Sequence, residues 1–276
     1  MKDMQKKITR WLAGATFAIA LPAAAGEAHE FDCLIEPAQT LDIRSPVSGI
    51  IERVHAERGS YVKKGEVLVT LEASVERAAA ELARYKSAME GAIKSAQSRL
   101  AHADSKVKRR RDLAAQNYTS AQDREDAEAE QSIAEAEALL ARENKELARL
   151  EYNYAASQLA LRQIKSPVSG VVVDQSLHAG ELAEIGENKP SIVKLAEIDP
   201  LRVKVIVPVA LYPRMKPGLA AEVTPEAPLE GKYAAKIDVV DKVIDAASGT
   251  FQVRLDLPNP KHELPGGVKC RVKIEE

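Results

Sequence analysis

The feature that most constrains this chain is a short motif that occurs twice, at positions 121 residues apart. Residues 43–49 read IRSPVSG and residues 164–170 read IKSPVSG. Three glycines follow with the same spacing in each copy: Gly49, Gly59 and Gly65 in the first, and Gly170, Gly180 and Gly186 in the second. Each copy is a series of short β segments of about thirty residues, too few to bury a useful core alone. The copies are therefore predicted to pack together as halves of one small β domain.

The stretch between the two copies is predicted to be helical. No proline occurs between Pro46 and Pro167, and the only glycine between Gly65 and Gly170 is Gly91. Apolar residues recur every seven positions, which predicts two helices paired as a coiled coil. The outgoing limb has the rows Val75, Leu82, Met89, Ala96, Ala103 and Ala79, Ile93, Leu100, Val107, Ala114. The return limb has the row Ile133, Leu140, Leu147, Tyr154, Leu161, flanked by Ala129, Ala136 and Leu150.

A turn between the two limbs is predicted at residues 116–119, where the apolar period lapses. Ser120 and Asp123 fit a capping box at the start of the return helix. Each limb then has about 40 residues, or roughly 60 Å of helix. The limbs are predicted to run antiparallel, because the β copies at their root must be neighbours.

The segment after Pro200 alternates between apolar and polar residues, as strands with one buried face do. Glycine-containing turns at 217–218, 248–249 and 265–267 divide it. Five or six strands in about 75 residues predict a small closed β-barrel, which leaves no free sheet edge.

The N-terminal 25 residues have the features of a cleavable signal peptide: a basic start, an apolar run from Trp11 to Leu21, and small residues before Gly26. A retained N-terminal anchor is the alternative. Without this segment the chain carries 35 basic and 40 acidic side chains, a net charge of −5, which argues against nucleic acid as a partner. Export also permits a disulfide between Cys33 and Cys270, which is predicted; two buried thiols are the alternative.

The arrangement as a whole resembles the periplasmic adaptors, or membrane fusion proteins of the HlyD-like family, of RND-type tripartite efflux systems. Residues 245–250 (DAASGT), 257–260 (LPNP) and 264–267 (LPGG) are similar to the family's barrel segments. The resemblance implies a multidomain α+β fold. Residues 26–72 and 164–198 would form a lipoyl-like barrel-sandwich hybrid, split by an α-helical hairpin over 73–163 with its tip near 116–120. A β-barrel over 199–276 would follow, with the membrane-proximal domain absent or reduced.

The same resemblance implies a non-enzymatic function. The protein would lie in the periplasm and link an inner-membrane RND transporter to a TolC-like outer-membrane channel, with six copies forming a sealed export duct. Switching would use hinges near 71–74, 162–166 and 196–201. The alternative is an adaptor for an ABC-type exporter or a type I secretion system. No cofactor is expected, because residues 71–74 lack the lysine that carries lipoate or biotin in carrier domains, and the scattered histidines argue against a soft-metal site.

The hairpin tip carries a further match to the family. Arg109, Leu113 and Ser120 fit the spacing R-x3-L-x6-S, which resembles the tip motif of adaptors that dock onto TolC-like channels. The resemblance implies a charge-assisted anchor, an apolar contact and an apical hydroxyl, respectively. Each residue also has a purely structural interpretation. Ser120 would cap a helix, Leu113 would close the end of the coiled coil, and Arg109 would belong to a solvated basic face.

Overall fold

The computed structural model describes residues 29–116, 118–186 and 188–274. The predicted signal peptide, residues 1–25, lies outside the described residues. The described residues form two compact units. The larger unit comprises residues 35–202 and 257–267, and the smaller comprises residues 29–34, 203–256 and 268–274. Among the described residues, no helix combines the length and the apolar character needed to cross a bilayer.

The larger unit contains the two β copies and the helical hairpin. Its β segments are part of β1 (His29–Ile43), β2 (Gly49–Val54), β3 (Tyr61–Val62), β4 (Val67–Leu71), β5 (Gln163–Lys165), β6 (Gly170–Gln175), β7 (Leu182–Ala183) and the first part of β8 (Val193–Pro208). One sheet has the strand order β5-β4-β2-β7, and β6 lies between β3 and β8 in the other.

The two copies exchange equivalent strands. β3 of the first copy pairs with β6 of the second, and β7 of the second pairs with β2 of the first. The exchange continues in the backbone: the Gly59 amide donates to the Val172 carbonyl at 2.8 Å, and the Gly180 amide donates to the Ile51 carbonyl at 2.8 Å. Both copies contribute buried side chains to one core. The prediction that they pack together is confirmed.

The hairpin consists of three helices rather than two. They are α1 (Ser74–Ala88), α2 (Gly91–Ala115) and α3 (Ala121–Ala160). The 40-residue α3 agrees with the predicted return limb, but the outgoing limb is interrupted at Met89 and Glu90. Met89 is extended, with ψ 131°, and Gly91, a weak helix former, follows it. The prediction of an uninterrupted outgoing limb is therefore wrong.

The predicted coiled-coil seam is also wrong over much of its length. Leu147 and Tyr154 are 55% and 69% exposed, whereas Ala134 and Ala138 are 7% and 4% exposed. The inner face of α3 is therefore an alanine row one residue away from the predicted one. On the outgoing limb, Ala96, Ala103 and Val107 are buried as predicted. Ile93 and Leu100 are half-buried. The other large members of the predicted rows are exposed: Val75, Leu82, Met89, Ile133, Leu140, Leu150 and Leu161.

The smaller unit is a β-barrel. It contains the start of β1, the end of β8, β9 (Ala220–Pro225), β10 (Tyr233–Val240), β11 (Thr250–Leu257) and β12 (Val268–Ile274). The strand order is β1-β12-β9-β10-β11-β8, and β1 also pairs with β8. Alternate residues of β11, such as Val253 and Leu255, are fully buried inside the barrel, as the sequence pattern predicts.

Two observations differ from the expected domain ranges. Residues 29–34 belong with the barrel strands because β1 pairs with β12, and residues 257–267 belong with the larger unit. The buried Asn259 side chain anchors the latter segment, since its Nδ2 donates to the Ile198 and Leu264 carbonyls at 3.0 and 2.9 Å. Residues 196–201, expected to contain a hinge, lie within the continuous strand β8.

Candidate docking site at the hairpin tip

The tip of the hairpin is closed by hydrogen bonds to one carbonyl. The Leu113 carbonyl accepts from the amides of Gln116 and Tyr118 at 3.1 and 2.9 Å. These bonds satisfy one of the carbonyl acceptors that the C-terminus of a helix leaves free. The Leu113 side chain remains 39% exposed at this end of α2. Leu113 therefore closes the turn through its backbone and still presents an apolar side chain to solvent.

The start of α3 is the capping box that the sequence predicts. Ser120 Oγ accepts from the Asp123 amide at 3.1 Å, and Asp123 Oδ2 accepts from the Ser120 amide at 3.3 Å. Asp123 Oδ2 also accepts from the hydroxyls of Ser120 and Thr119, at 2.7 and 3.0 Å. These bonds, that from the Ser120 hydroxyl foremost, lower the pKa of Asp123 from its ordinary value of 3.8. The capping role of Ser120 is thus present, and its docking role stays a prediction.

Arg109 differs from the two arginines that follow it. Arg110 Nη1 donates to Thr119 Oγ1 at 3.4 Å, and Arg111 Nε contacts Glu128 Oε1 at 3.0 Å, so both contribute to holding the tip together. Arg109 is exposed, and it has no ion pair within the described part of the chain. It lies four residues before Leu113, so the two side chains share the face of α2 directed away from α3. The geometry thus brings together two of the three predicted docking residues on one open face.

The sequence analysis missed Tyr118. Its side chain is 77% exposed, which makes it a large aromatic group standing at the apex beside Leu113. Aromatic side chains with one apolar face and one polar end are enriched at protein interfaces. The sequence did contain an indication of this role: Tyr118 lies within the predicted turn, where an aromatic residue is not needed for packing.

Away from the tip, the two cysteines meet in the barrel. Cys33 in β1 and Cys270 in β12 lie on neighbouring strands, with a Cα–Cα distance of 4.8 Å and an S–S distance of 2.08 Å. Both side chains are buried. The arrangement links strands that are 237 residues apart in the chain. Among the described residues, no group of three or more His, Cys, Asp or Glu side chains is arranged to hold a metal ion.

Two family models match consecutive parts of the chain. Residues 39–195 match the model described as RND MFP, barrel-sandwich hybrid domain. Residues 201–276 match the model described as CusB-like, beta-barrel domain. The first model covers the two β copies with their hairpin, and the second covers most of the barrel strands.

Curated relatives and solved structures agree with these matches. The chain is 26% identical to the pyoverdine export membrane fusion protein PvdR of Pseudomonas aeruginosa, over 69% of this chain and 49% of the relative. It is 26% identical to the multidrug efflux pump subunit AcrA of Escherichia coli, over 85% of this chain and 59% of the relative. The crystal structure of MacA from Actinobacillus actinomycetemcomitans is similar, with a TM-score of 0.70 and 25% identity over 91% of this chain and 78% of that one. The chain spans from about half to three-fifths of the length of these two curated relatives.

Proposed function

Because this chain belongs to the RND membrane fusion protein family, we propose that it is a periplasmic adaptor that links an inner-membrane RND transporter to a TolC-like outer-membrane channel. The observation that carries the proposal is the 40-residue α3, about 60 Å long at 1.5 Å per residue. It forms one limb of a hairpin inserted between two interlocked β copies. A rod of this length suits a spacer between membranes.

The proposed contribution is mechanical. The family consists of membrane fusion proteins and not of enzymes, in agreement with the sequence-based prediction. Substrate passes through a duct built by the adaptor copies, with no bond made or broken. After removal of residues 1–25 as a signal peptide, the protein acts in the periplasm.

We assign channel docking to the open face of the hairpin tip. Arg109 supplies a charge-assisted hydrogen bond to a carboxylate or carbonyl of the channel. Leu113 and Tyr118 supply apolar contacts, and Ser120 shapes the apex by capping α3. The exposure of both apolar side chains supports this assignment.

The docking assignment is tested by Leu113→Asp in cells whose export depends on this protein. We expect loss of drug tolerance and loss of photo-cross-linking from position 118 to an outer-membrane channel. Circular dichroism should remain unchanged, because the Leu113 side chain is exposed. Ala101→Asp is the matched control, since it places the same charge on an exposed position three turns lower on α2 and should keep both activities. Unchanged tolerance in Leu113→Asp would contradict the assignment.

We further propose that copies associate side by side through two exposed apolar rows of the hairpin. The α1 row is Val75, Leu82, Tyr85 and Met89; the α3 row is Leu140, Leu147, Leu150, Tyr154 and Leu161. Each row lies on the helix face opposite the buried alanines, so the two rows point away from each other. Apolar surface of this extent on a paired helix favours a protein contact. When the α1 row of one copy contacts the α3 row of the next, the contacts are head-to-tail. Such contacts close into a ring if the rotation from one copy to the next is a whole fraction of a turn.

The heights of the two rows support a ring. Copies in a closed ring lie at equal height, so the α1 row of one copy must meet the α3 row of the next at the same level. Within one hairpin, Glu90 and Lys145 are level, because their side chains form an ion pair at 3.2 Å. Counting along both limbs from this pair, and from the pair of Glu76 and Arg162 at the root of the hairpin, places Tyr154 within about two residues of the height of Leu82. Lys86, beside the α1 row, and Glu151, beside the α3 row, are likewise nearly level and opposite in charge.

Cysteine cross-linking in cells tests the ring. We expect Leu82→Cys with Tyr154→Cys to give a ladder of cross-linked species that ends at six copies. Leu82→Cys with Ser132→Cys is the matched control, because Ser132 is exposed on the same side of α3 but at another height, and it should give no ladder. A product limited to dimers would indicate two-fold contacts and contradict the proposal. Absence of cross-links from the first pair would do the same.

The alternative partner is an ABC-type exporter or a type I secretion system. The match to the RND family models supports the RND transporter. We propose that the barrel contributes to this contact, and a photo-cross-linker at Val243, 83% exposed between β10 and β11, tests the partner directly. Mass spectrometry should identify an RND transporter as the captured protein, whereas capture of an ABC protein would favour the alternative.

A further inference from the structure

One arginine contacts three other chain segments where the hairpin joins the β copies. Arg162 lies two residues after the end of α3, between its C-cap Leu161 and β5. Its Nη1 donates to the Ser48 carbonyl at 3.1 Å, and its Nη2 donates to Glu76 Oε1 at 2.5 Å. Its own carbonyl accepts from the Leu71 amide at 2.8 Å. Arg162 therefore joins the return limb to the first β copy, to the first turns of α1 and to the end of β4.

The ion pair between Arg162 and Glu76 is shielded from solvent. Each of the two side chains is 21% exposed. The ion pairs that cross the hairpin nearer its tip are more exposed to solvent. In the pair of Arg99 and Glu137, for example, the side chains are 67% and 44% exposed. Exposed pairs contribute little because water and salt screen them. The pair at the joint is therefore better placed than the others to resist movement.

Only the second of the two sequence copies has an arginine at this position. Aligning the two motifs places Arg162 opposite Leu41, which packs against the shared core of the larger unit. The two copies therefore differ at the position where the hairpin joins them. Gly49 leaves the space for the guanidinium, since a Cβ at that position would lie 2.6 Å from Arg162 Nη1.

We propose that Arg162 is a positioning residue that sets the direction in which the hairpin leaves the β copies. The guanidinium holds α1 through Glu76 and the first β copy through Ser48, while the backbone of Arg162 holds β4. Residues 71–74 and 162–166 then form a braced joint, and any hinge motion there must first break these contacts. Arg162 has this role whichever partners the hairpin meets.

Pulsed electron paramagnetic resonance on the full chain tests the role of Arg162. Spin labels are attached through a ketone-bearing amino acid at positions 95, on α2, and 174, on β6, so that the native cysteines are not involved. We expect a narrow distance distribution in the wild type and a distribution about twofold broader in Arg162→Ala, because the hairpin direction is no longer held. Arg162→Lys keeps one charge contact but loses the forked geometry, so it should restore part of the narrowing.

Two further variants separate positioning from general stability. Arg149→Ala removes the exposed pair that Arg149 forms with Glu146, and it should leave the distribution unchanged. Glu76→Gln keeps the size of the partner and should broaden the distribution less than Arg162→Ala does. Circular dichroism should show the same helix content in all variants. A wild-type distribution in Arg162→Ala and Glu76→Gln, or equal broadening in Arg149→Ala, would overturn the proposal.

Discussion

Ser120 and Asp123 hold each other at the start of α3, where each side chain accepts a hydrogen bond from the other residue's amide. This reciprocal arrangement satisfies two donors that the first turn of a helix leaves free. Asp123 Oδ2 also accepts from the hydroxyl of Thr119, which follows Tyr118 in the turn. The apex thus owes its shape to a short-range pair that the sequence alone predicts.

Replacing Ser120 with Ala should loosen the first turn of α3 without unfolding the hairpin. Loss of an N-cap hydroxyl costs about 1 kcal/mol, or roughly fivefold in local opening. Amide hydrogen exchange of residues 121–125 should therefore accelerate by about that factor, while exchange in the middle of α3 stays unchanged. Ser120→Thr, which keeps a hydroxyl at the N-cap, should restore protection. Equal acceleration along the whole helix would show that the cap has a wider role than the structure indicates.

The same cap predicts a pH dependence. The hydrogen bonds to Asp123 lower its pKa below the ordinary value of 3.8. A carboxyl whose folded pKa is lowered stabilises the folded state above its unfolded pKa, and this stabilisation is lost as the pH falls through the folded value. The first turn of α3 should therefore fray only below about pH 4. Carbon NMR titration should show the pKa of Asp123 rising in Ser120→Ala. The pKa of Asp245, lowered by bonds from Ala247 and Ser248, should stay the same; a shift in both would contradict a local cause.

The bond between Cys33 and Cys270 should stabilise the barrel by linking its first and last strands. Their separation of 237 residues means that the bond restricts a very long loop in the unfolded chain, for which a stabilisation of roughly 2–5 kcal/mol is expected. Reductant should lower the urea midpoint of the wild type and leave Cys33→Ala with Cys270→Ala unaffected. Two thiols that titrate in the denatured, unreduced protein would show that no bond forms.

The parts of the fold that the sequence predicts rest on local or repeated signals. The duplicated motif predicts that the two copies pack together, because neither copy can bury its apolar face alone. Ser120 with Asp123 marks the start of α3 within one turn. The contacts of Arg162 are of another kind. Ser48 lies 114 residues away in sequence, and no pattern in the chain indicates that the two would meet.

The phase of the coiled coil was not predictable from periodicity. Two rows of α3 repeat every seven residues, one containing Leu140 and Leu147, the other containing Ala134 and Ala141. Periodicity defines both rows equally well, and side-chain size favours the first. The structure uses the alanines inside because small side chains let the helices approach closely. On the outgoing limb, the break at Met89 shifts the buried positions by one residue. A seven-residue row that is buried in α2 is therefore exposed when it is extended into α1.

Because alanines and not leucines line the contact between the helices, two substitutions should have effects opposite to those expected from the predicted seam. Leu147→Ala removes an exposed side chain and should change the free energy of unfolding by less than about 0.5 kcal/mol. Ala134→Leu forces extra volume between helices in close contact and should cost about 1–3 kcal/mol. Urea unfolding followed by circular dichroism at 222 nm measures both, at protein concentrations low enough to keep the chain monomeric. If Leu147→Ala instead cost about 2–5 kcal/mol, as burial of a leucine demands, the larger residues would form the seam after all. The exposed row would then be unavailable for contacts between copies, and the proposed ring would fail with it.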